Sequence, residues 1–315
     1  DSATFGESPG NGGPVLIAVA SDAAISKGRI RSSVNGSGNG GDIDLAVDGT
    51  LDIGNRGLIS SGTSGSGNAG NVQIKTLGNL RVGGGGSIES STYSNGNAGK
   101  VDVSARQVVL ARGDIDYYAW ILSDSFGSGA AGSVSVKASK SVELAEGGFI
   151  TSDAYHSGHA GSIVVSAPDI RIGGPGLVMG AAISSDAGAS GNAGRVEVTA
   201  ETLTIEGGTS QYLTGVTSRS FSESTGNAGT VVVNTSGALF VSNGGVITSS
   251  SSGAGRGGEV QIESGSIEVN GTTTQIGAVA TKLSSGQPGN VTIQSDGALL
   301  LRGGGRLTIE NAGSN

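Results

Sequence analysis

The chain has 315 residues, a formal net charge of −8 and no cysteine. This acidic balance, without a basic cluster anywhere, argues against nucleic acid or an anionic lipid surface as a partner. No apolar run approaches the roughly 18 residues of a membrane-spanning helix, so we expect no membrane span.

A repeated motif dominates the sequence. The pattern Gly-x-x-Gly-x-(Val/Ile)-x-aliphatic occurs ten times, beginning near residues 10, 38, 67, 96, 129, 158, 191, 226, 255 and 286. A near-constant period of this size is typical of stacked-repeat architectures, and disordered low-complexity sequence does not show it. We therefore interpret residues 1–315 as a single repeat domain and as a segment of a longer protein.

Each repeat contains three short apolar pairs with the alternate spacing of β-strands. In the second repeat these pairs are Ile43/Leu45, Leu51/Ile53 and Ile59/Ser61. Equivalent strands of successive repeats would pair in parallel about 4.8 Å apart. The fold prediction is all-β: a right-handed parallel β-helix (solenoid) of about ten coils with three short strands each, its hand following that of parallel crossovers.

The third pair places Ser or Thr two residues after an aliphatic residue in nine coils, from Ser32 to Ser249 and then Thr281. We expect these side chains to form a buried ladder in which each hydroxyl donates to one neighbour and accepts from the other. His159 occupies a position that other repeats fill with Asn, so we interpret it as a tolerated turn substitution.

Four coils have a longer segment between the second and third pairs: Leu110 to Ile121, Ile172 to Ile183, Ile205 to Val216 and Val269 to Val279. In repeat proteins, insertions at one corner commonly build a binding surface. These segments contain the candidate partner- or ligand-binding residues Tyr117, Tyr118, Trp120, Met179 and Tyr212. The alternative is that these side chains only shield the strand beneath them.

Three coils read ILSD, ITSD and ISSD, which stacks Asp124, Asp153 and Asp186 on consecutive coils, followed by Arg219. Three interpretations stay open. The carboxylates could be turn residues in solvent, could share a calcium ion, or could be spaced as a retaining glycosidase pair. No other cofactor is predicted.

The order of these elements resembles a known family. Units such as SGNAGNVQIKTLGNLRVGGGGSIESSTYSNGNAG at residues 66–99 combine a GNAG turn, a paired strand, a GxL strand and a GGxI-x-S strand. This order is similar to the β-helical stalk of filamentous-haemagglutinin-like exoproteins of the two-partner secretion type, in their cyanobacterial form, and the resemblance covers residues 10–310. It implies export through an outer-membrane transporter and a role in adhesion or matrix building, without catalytic residues shared by the stalks.

The leading hypothesis is a non-enzymatic extracellular stalk or adhesin segment at a bacterial cell surface, which mediates adhesion or builds a surface filament or matrix. The absence of cysteine and the low charge agree with this location. Its partners would be cell-surface or matrix glycans or proteins, and end-to-end self-association is possible for such a chain. One alternative is a polysaccharide lyase or hydrolase that uses the stacked Asp residues, and the other is a self-assembling filament subunit.

Overall fold

The computed structural model describes residues 2–4, 10–113, 117–208, 212–221, 224–280 and 286–311. Within these residues, regular structure consists of β-strands only. None of the described segments is a helix long and apolar enough to cross a membrane.

The strands form two parallel sheets whose members come from successive coils. The third strands build an eleven-stranded sheet. Its members are β1 (Ser2–Thr4), β4 (Arg29–Val34), β7 (Leu58–Thr63), β10 (Ser87–Thr92), β12 (Ala119–Leu122), β14 (Gly148–Thr151), β17 (Ala182–Ser184), β19 (Gly215–Ser220), β21 (Val246–Ser251), β23 (Gln275–Ala280) and β26 (Arg306–Asn311).

The first and second strands build the other sheet, of fifteen strands. Its members are β2 (Val15–Val19), β3 (Ala23–Ser26), β5 (Ile43–Val47), β6 (Leu51–Gly54), β8 (Val72–Thr76), β9 (Asn79–Gly83), β11 (Val101–Ala111), β13 (Val134–Leu144), β15 (Ile163–Ser166), β16 (Asp169–Gly173), β18 (Arg195–Glu206), β20 (Thr230–Ser242), β22 (Glu259–Asn270), β24 (Asn290–Ser295) and β25 (Leu299–Arg302). The predicted β-solenoid of about ten coils is confirmed.

Five coils join the first and second strands into one long strand: β11, β13, β18, β20 and β22. In β11 the pairing with β13 shifts register between Ala105 and Gln107, which allows the strand to continue through the bend. The expectation of three separate short strands therefore holds in the other five coils.

A single apolar core runs along the inside of the solenoid. In the second coil, Ile43, Leu51 and Ile59 are fully buried, and the equivalent residues of the following coils stack on them. Burying an aliphatic side chain of this size contributes about 1.5–3 kcal/mol. The stacked columns therefore fix which side of each strand faces inward.

The predicted interval from Val269 to Val279 is wrong. Ile276 pairs with Ile247 on one side and with Leu307 on the other, and it is fully buried. The third strand of this coil thus begins earlier, and no long insertion precedes it. Both Ile276 and Val279 fit an aliphatic-x-small pattern, and pairing with the neighbouring coils decides between them. Ala278 takes the position in register with Ser249, and Thr281 lies outside the described residues.

The buried serine column is confirmed, but the predicted bonds between hydroxyls are wrong. Ser90 donates to the carbonyl oxygen of Gly70 at 2.7 Å and accepts from the N–H of Gly99 at 2.9 Å. Ser32, Ser61 and Ser218 join the Gly-x-x-Gly turns of two successive coils in the same way. The hydroxyls of the other serines donate to the turn carbonyl: Ser123, Ser152, Ser185 and Ser249. A Cβ on Gly99 would clash with the carbonyl group of Gly70 and would come within 2.9 Å of the Ser90 hydroxyl oxygen, which explains why this turn position is glycine.

An asparagine ladder supports the same turns from outside. The N–H of Asn68 donates to Oδ1 of Asn39 at 2.8 Å, and the N–H of Asn97 donates to Oδ1 of Asn68. His159 takes part in the same way, because its Nδ1 accepts from the N–H of Asn192 at 3.0 Å. The interpretation of His159 as a substituted turn residue is confirmed.

Candidate functional site

The outer face of the third-strand sheet is the surface on which aromatic side chains concentrate. Along each third strand, alternate residues point into the core or outward. Ile121 is fully buried in the core, whereas its neighbour Trp120 is only half-buried and lies beside Phe149 of the next coil. The three confirmed insertions, before β12, β17 and β19, leave from the corner next to this face.

Three rings form a continuous stack just beyond the ends of the third strands. Tyr93 and Phe126 stack with ring centroids 4.9 Å apart at 9°, and Phe126 and Tyr155 stack at 4.9 Å and 4°. We call this stack the aromatic ladder. Tyr93 is 56% exposed and Tyr155 is 41% exposed, so both residues present part of their surface to solvent.

The aromatic ladder was not predicted from the sequence. Its three members lie in turns, separated by 33 and 29 residues in the chain, and nothing in each turn alone distinguishes them. The pairing of Thr92 with Ser125 and of Ser125 with Ala154 places them on consecutive coils. The signal was the position relative to the serine of the third strand, since each ring follows that serine by three residues.

A second group of rings, the corner cluster, contains two of the predicted binding residues. Trp120 stacks on Phe149 at 4.8 Å and 26°, and Tyr118 meets both rings edge-on at 5.7 and 5.3 Å. All three side chains are half-buried. Tyr118 and Trp120 therefore pack against Phe149 and stay partly open to solvent. Partner binding by them stays a prediction, as does the alternative that they only shield the strand beneath them.

The other predicted binding residues lie in different surroundings. Tyr117 is exposed, and the Arg56 guanidinium lies 4.0 Å above the centre of its ring. Met179 is half-buried, its sulfur lies 3.7 Å from Nη1 of Arg112, and its N–H donates to Glu146. Tyr212 is exposed and lies in the corner segment before β19, three coils beyond Tyr117. The structure therefore brings Tyr117, Tyr118 and Trp120 into one corner and leaves Tyr212 elsewhere.

The predicted column of carboxylates exists, but the interpretation as solvated turn residues is wrong. Asp124, Asp153 and Asp186 are only 2%, 7% and 1% exposed. The N–H of Asp153 donates to Oδ1 of Asp124 at 2.8 Å, and the N–H of Asp186 donates to Oδ1 of Asp153 at 2.7 Å. We call this arrangement the aspartate ladder, because each carboxylate caps the backbone of the next coil.

Arg219 ends the aspartate ladder. Its N–H donates to Oδ1 of Asp186, and its guanidinium donates to Oδ2 at 2.6 and 3.1 Å. Burial alone would lower the pKa of Arg219, but the charge and hydrogen bonds of Asp186 raise it. The negative charge of Asp186 is thereby paired with the positive charge of Arg219. Among the described residues, Asp124 accepts hydrogen bonds from the Thr151 hydroxyl and from the N–H of Asp153, and neither donor is charged.

Burial changes the protonation of the first two rungs. Desolvation raises the pKa of Asp124 to about 7, and desolvation together with the charge of Asp124 raises the pKa of Asp153 well above its usual range. Burial and then the charge of Asp153 also raise the pKa of Tyr155, so its phenol stays neutral. Asp124 and Asp153 therefore stay protonated at pH values at which exposed carboxyl groups are ionised.

The geometry of the aspartate ladder bears on the calcium and glycosidase interpretations. Across the described part of the chain, no group of three or more His, Cys, Asp or Glu side chains is arranged to hold a metal ion. One oxygen of each carboxylate already accepts a backbone N–H. Calcium binding by Asp124, Asp153 and Asp186 stays a prediction, as does catalysis by them.

Comparisons with protein families, with curated proteins and with solved structures each give no match for this chain.

Proposed function

We propose that this chain is a non-enzymatic binding segment of an extracellular bacterial protein, a β-solenoid stalk whose outer face binds carbohydrate. The observation that carries the proposal is the exposed stack of Tyr93, Phe126 and Tyr155. Aromatic residues are only 3% of the sequence, so their concentration on one face is not a general property of the surface.

The aromatic ladder suits sugar chains for a physical reason. The stacked rings cover one another's inner faces, so a pyranose would pack its apolar CH groups against the ring surface that the stack leaves exposed, while a tyrosine hydroxyl hydrogen-bonds at the edge. The rings are held in line by the pairing of successive coils, so little conformational entropy is lost on binding. The corner cluster lies at the other end of the third strands, because Trp120 is in register with Ser87, six residues before Tyr93.

The solenoid and the sequence resemblance support the wider role. A rod of stacked coils displays the same face along its length, which is useful for adhesion or for a surface matrix. The resemblance to filamentous-haemagglutinin-like stalks supports export through an outer-membrane transporter and a location on the cell surface. Glycans of a cell surface or matrix are the partners that we propose.

The test compares glycan binding by the natural chain and by the double variant Tyr93→Ala/Tyr155→Ala on an array of oligosaccharides. Each stacking contact contributes about 0.5–1.5 kcal/mol beyond area burial, so losing two rings should weaken a bound glycan about tenfold or more. Phe240→Ala, which removes an exposed ring from β20 on the other sheet, is the matched control. Equal binding by the double variant and the natural chain would exclude the aromatic ladder as the binding surface.

The polysaccharide-degrading alternative is less well supported by the geometry. A catalytic carboxyl must contact its substrate, whereas the carboxyls of the aspartate ladder are buried and one oxygen of each accepts a backbone N–H. The raised pKa of Asp124 is the one feature that a general acid would share. Incubation with neutral and acidic polysaccharides checks this alternative, since bound glycans should be recovered with unchanged length.

A further inference from the structure

A cleft at the corner between the second and third strands contains an unusual concentration of positive charge. It has a volume of about 510 Å³ and is lined by Lys27, Arg29, Asn55, Arg56 and Tyr117. We call it the basic cleft. Its volume lies within the range of about 300–1,000 Å³ that is common for ligand sites.

Among the described residues, the positive charges of the basic cleft have no anionic partner. The chain as a whole carries a net charge of −8, yet none of the described residues that line the cleft is a carboxylate. Within the described residues, Lys27, Arg29 and Arg56 form no ion pair. Cations placed together repel one another unless an anion lies between them.

The backbone of the basic cleft is strained where its polar side chains are attached. Lys27, Asn55 and Arg56 have φ of 55°, 49° and 62°, three of the four positive values at non-glycine residues among those described. In the next coil, Gly84 and Gly85 have φ of 53° and 78° in the equivalent turn. Glycine would relieve the strain, so the retained side chains point to a function.

Tyr117 closes the basic cleft from another coil. Tyr117 belongs to the corner segment of the fourth coil and lies against the turn of the third coil. A Cβ built on Gly85 would come within 2.9 Å of the Cβ of Tyr117. The guanidinium of Arg56 stacks on one side of its ring, while the residue as a whole is exposed. The cleft thus combines an aromatic ring with guanidinium groups, which can form bidentate hydrogen bonds to carboxylates and other oxyanions.

From these features we infer that the basic cleft binds an acidic sugar chain, whose ring packs against Tyr117 and whose carboxylate or sulfate groups pair with Arg29, Arg56 and Lys27. The inference rests on the proposed function and names the class of glycan. A nucleic acid fits less well, because three cations on an acidic protein give no extended path for a densely charged backbone.

The experiment measures binding by calorimetry to the full chain, with two pairs of probes. Oligogalacturonate is compared with its methyl-esterified form, and dextran sulfate with dextran, so each pair keeps the same sugar backbone and differs in the charged substituent. We expect the charged form to bind and the uncharged form not to bind at equal concentration. A preference for oligogalacturonate assigns the cleft to carboxylates, and a preference for dextran sulfate assigns it to sulfates.

The variant Arg29→Gln/Arg56→Gln should weaken binding of the charged probe by about tenfold or more, because each lost charged hydrogen bond is substantial. The control Arg81→Gln/Arg302→Gln makes the same change in net charge at exposed positions that do not line the cleft, and should bind as the natural chain does. Unchanged thermal unfolding of both variants shows that the fold persists.

Three results would overturn the inference: equal binding of charged and uncharged probes, equal losses in the two double variants, or tighter Arg56-dependent binding of single-stranded DNA. Failure here is distinguishable from failure of the proposed function. The aromatic ladder is tested by Tyr93 and Tyr155, whereas the cleft is tested by the charge preference and by Arg29 and Arg56.

Discussion

Asp124 is a buried carboxyl group whose hydrogen-bond donors among the described residues are neutral: the Thr151 hydroxyl and the N–H of Asp153. Burial raises its pKa from 3.8 to about 7, so the folded protein binds this proton more tightly than the unfolded chain does. The resulting stabilisation is present in full below about pH 4, is lost as pH rises to about 7, and stays lost above that.

Replacing the carboxyl by an amide removes this dependence. Asp124→Asn keeps an oxygen that accepts from Asp153 and Thr151, but it cannot ionise. We expect the variant to be more stable than the natural chain at about pH 8, by on the order of 2–4 kcal/mol, and to differ little at about pH 4. Urea unfolding at the two pH values measures the difference.

Asp52→Asn is the control for this substitution, because Asp52 is exposed on β6. It should change stability by less than about 0.5 kcal/mol at both pH values. If Asp124→Asn proves less stable than the natural chain at high pH, the charged carboxylate itself contributes to the fold, and a bound cation becomes the better explanation.

At the scale of elements, the serine column joins strand and turn. Ser90 is fully buried and satisfies two backbone groups, the carbonyl of Gly70 and the N–H of Gly99. Ser90→Ala leaves both without a partner, and it should lower the free energy of unfolding by about 2–4 kcal/mol. Chemical denaturation of this variant and of Ser104→Ala, an exposed serine on β11, measures the effect.

A loss as small for Ser90→Ala as for Ser104→Ala would mean that water or a shift of the turn replaces the hydroxyl. The Gly-x-x-Gly turns would then owe their geometry to the asparagine ladder alone, through Asn39, Asn68 and Asn97.

Most of the elements could be predicted from the sequence, because period and alternation are local signals. The pairs Ile43/Leu45, Leu51/Ile53 and Ile59/Ser61 predict three strands from spacing alone, and the structure has them in β5, β6 and β7. The local pattern did not determine the position of a third strand where the sequence fits two alternative registers. Val279 and Ile276 are such a case, and only pairing with Ile247 and Leu307 separates them.

The candidate site was less predictable, since it depends on neighbours that are distant in sequence. Tyr117 was identified by its place in an insertion, but its contact with Arg56 crosses two coils. The stack of Tyr93, Phe126 and Tyr155 becomes visible only when coil lengths are aligned. The burial of Asp124 could not be inferred either, because a turn aspartate usually lies in solvent.

At the scale of the whole molecule, each coil packs only against its two neighbours, so a complete coil should be removable. Deleting residues 226–254 takes out the eighth coil, from its Gly-x-x-Gly turn to the residue before the next one. β18 would then pair with β22 in place of β20, with Val196 beside Val260 and Leu203 beside Ile267, all of them buried.

We expect this deletion variant to keep a β-sheet circular dichroism spectrum and cooperative unfolding, with a melting temperature within about 10 °C of the natural chain. Deleting residues 226–239 is the control, because it removes half a coil and sets first strands against second strands, which turns apolar residues away from the core. That variant should aggregate or unfold at lower temperature. If both deletions behave alike, the stacking of equivalent strands is not what stabilises the rod, and the surfaces built on consecutive coils, the aromatic ladder included, lose their structural basis.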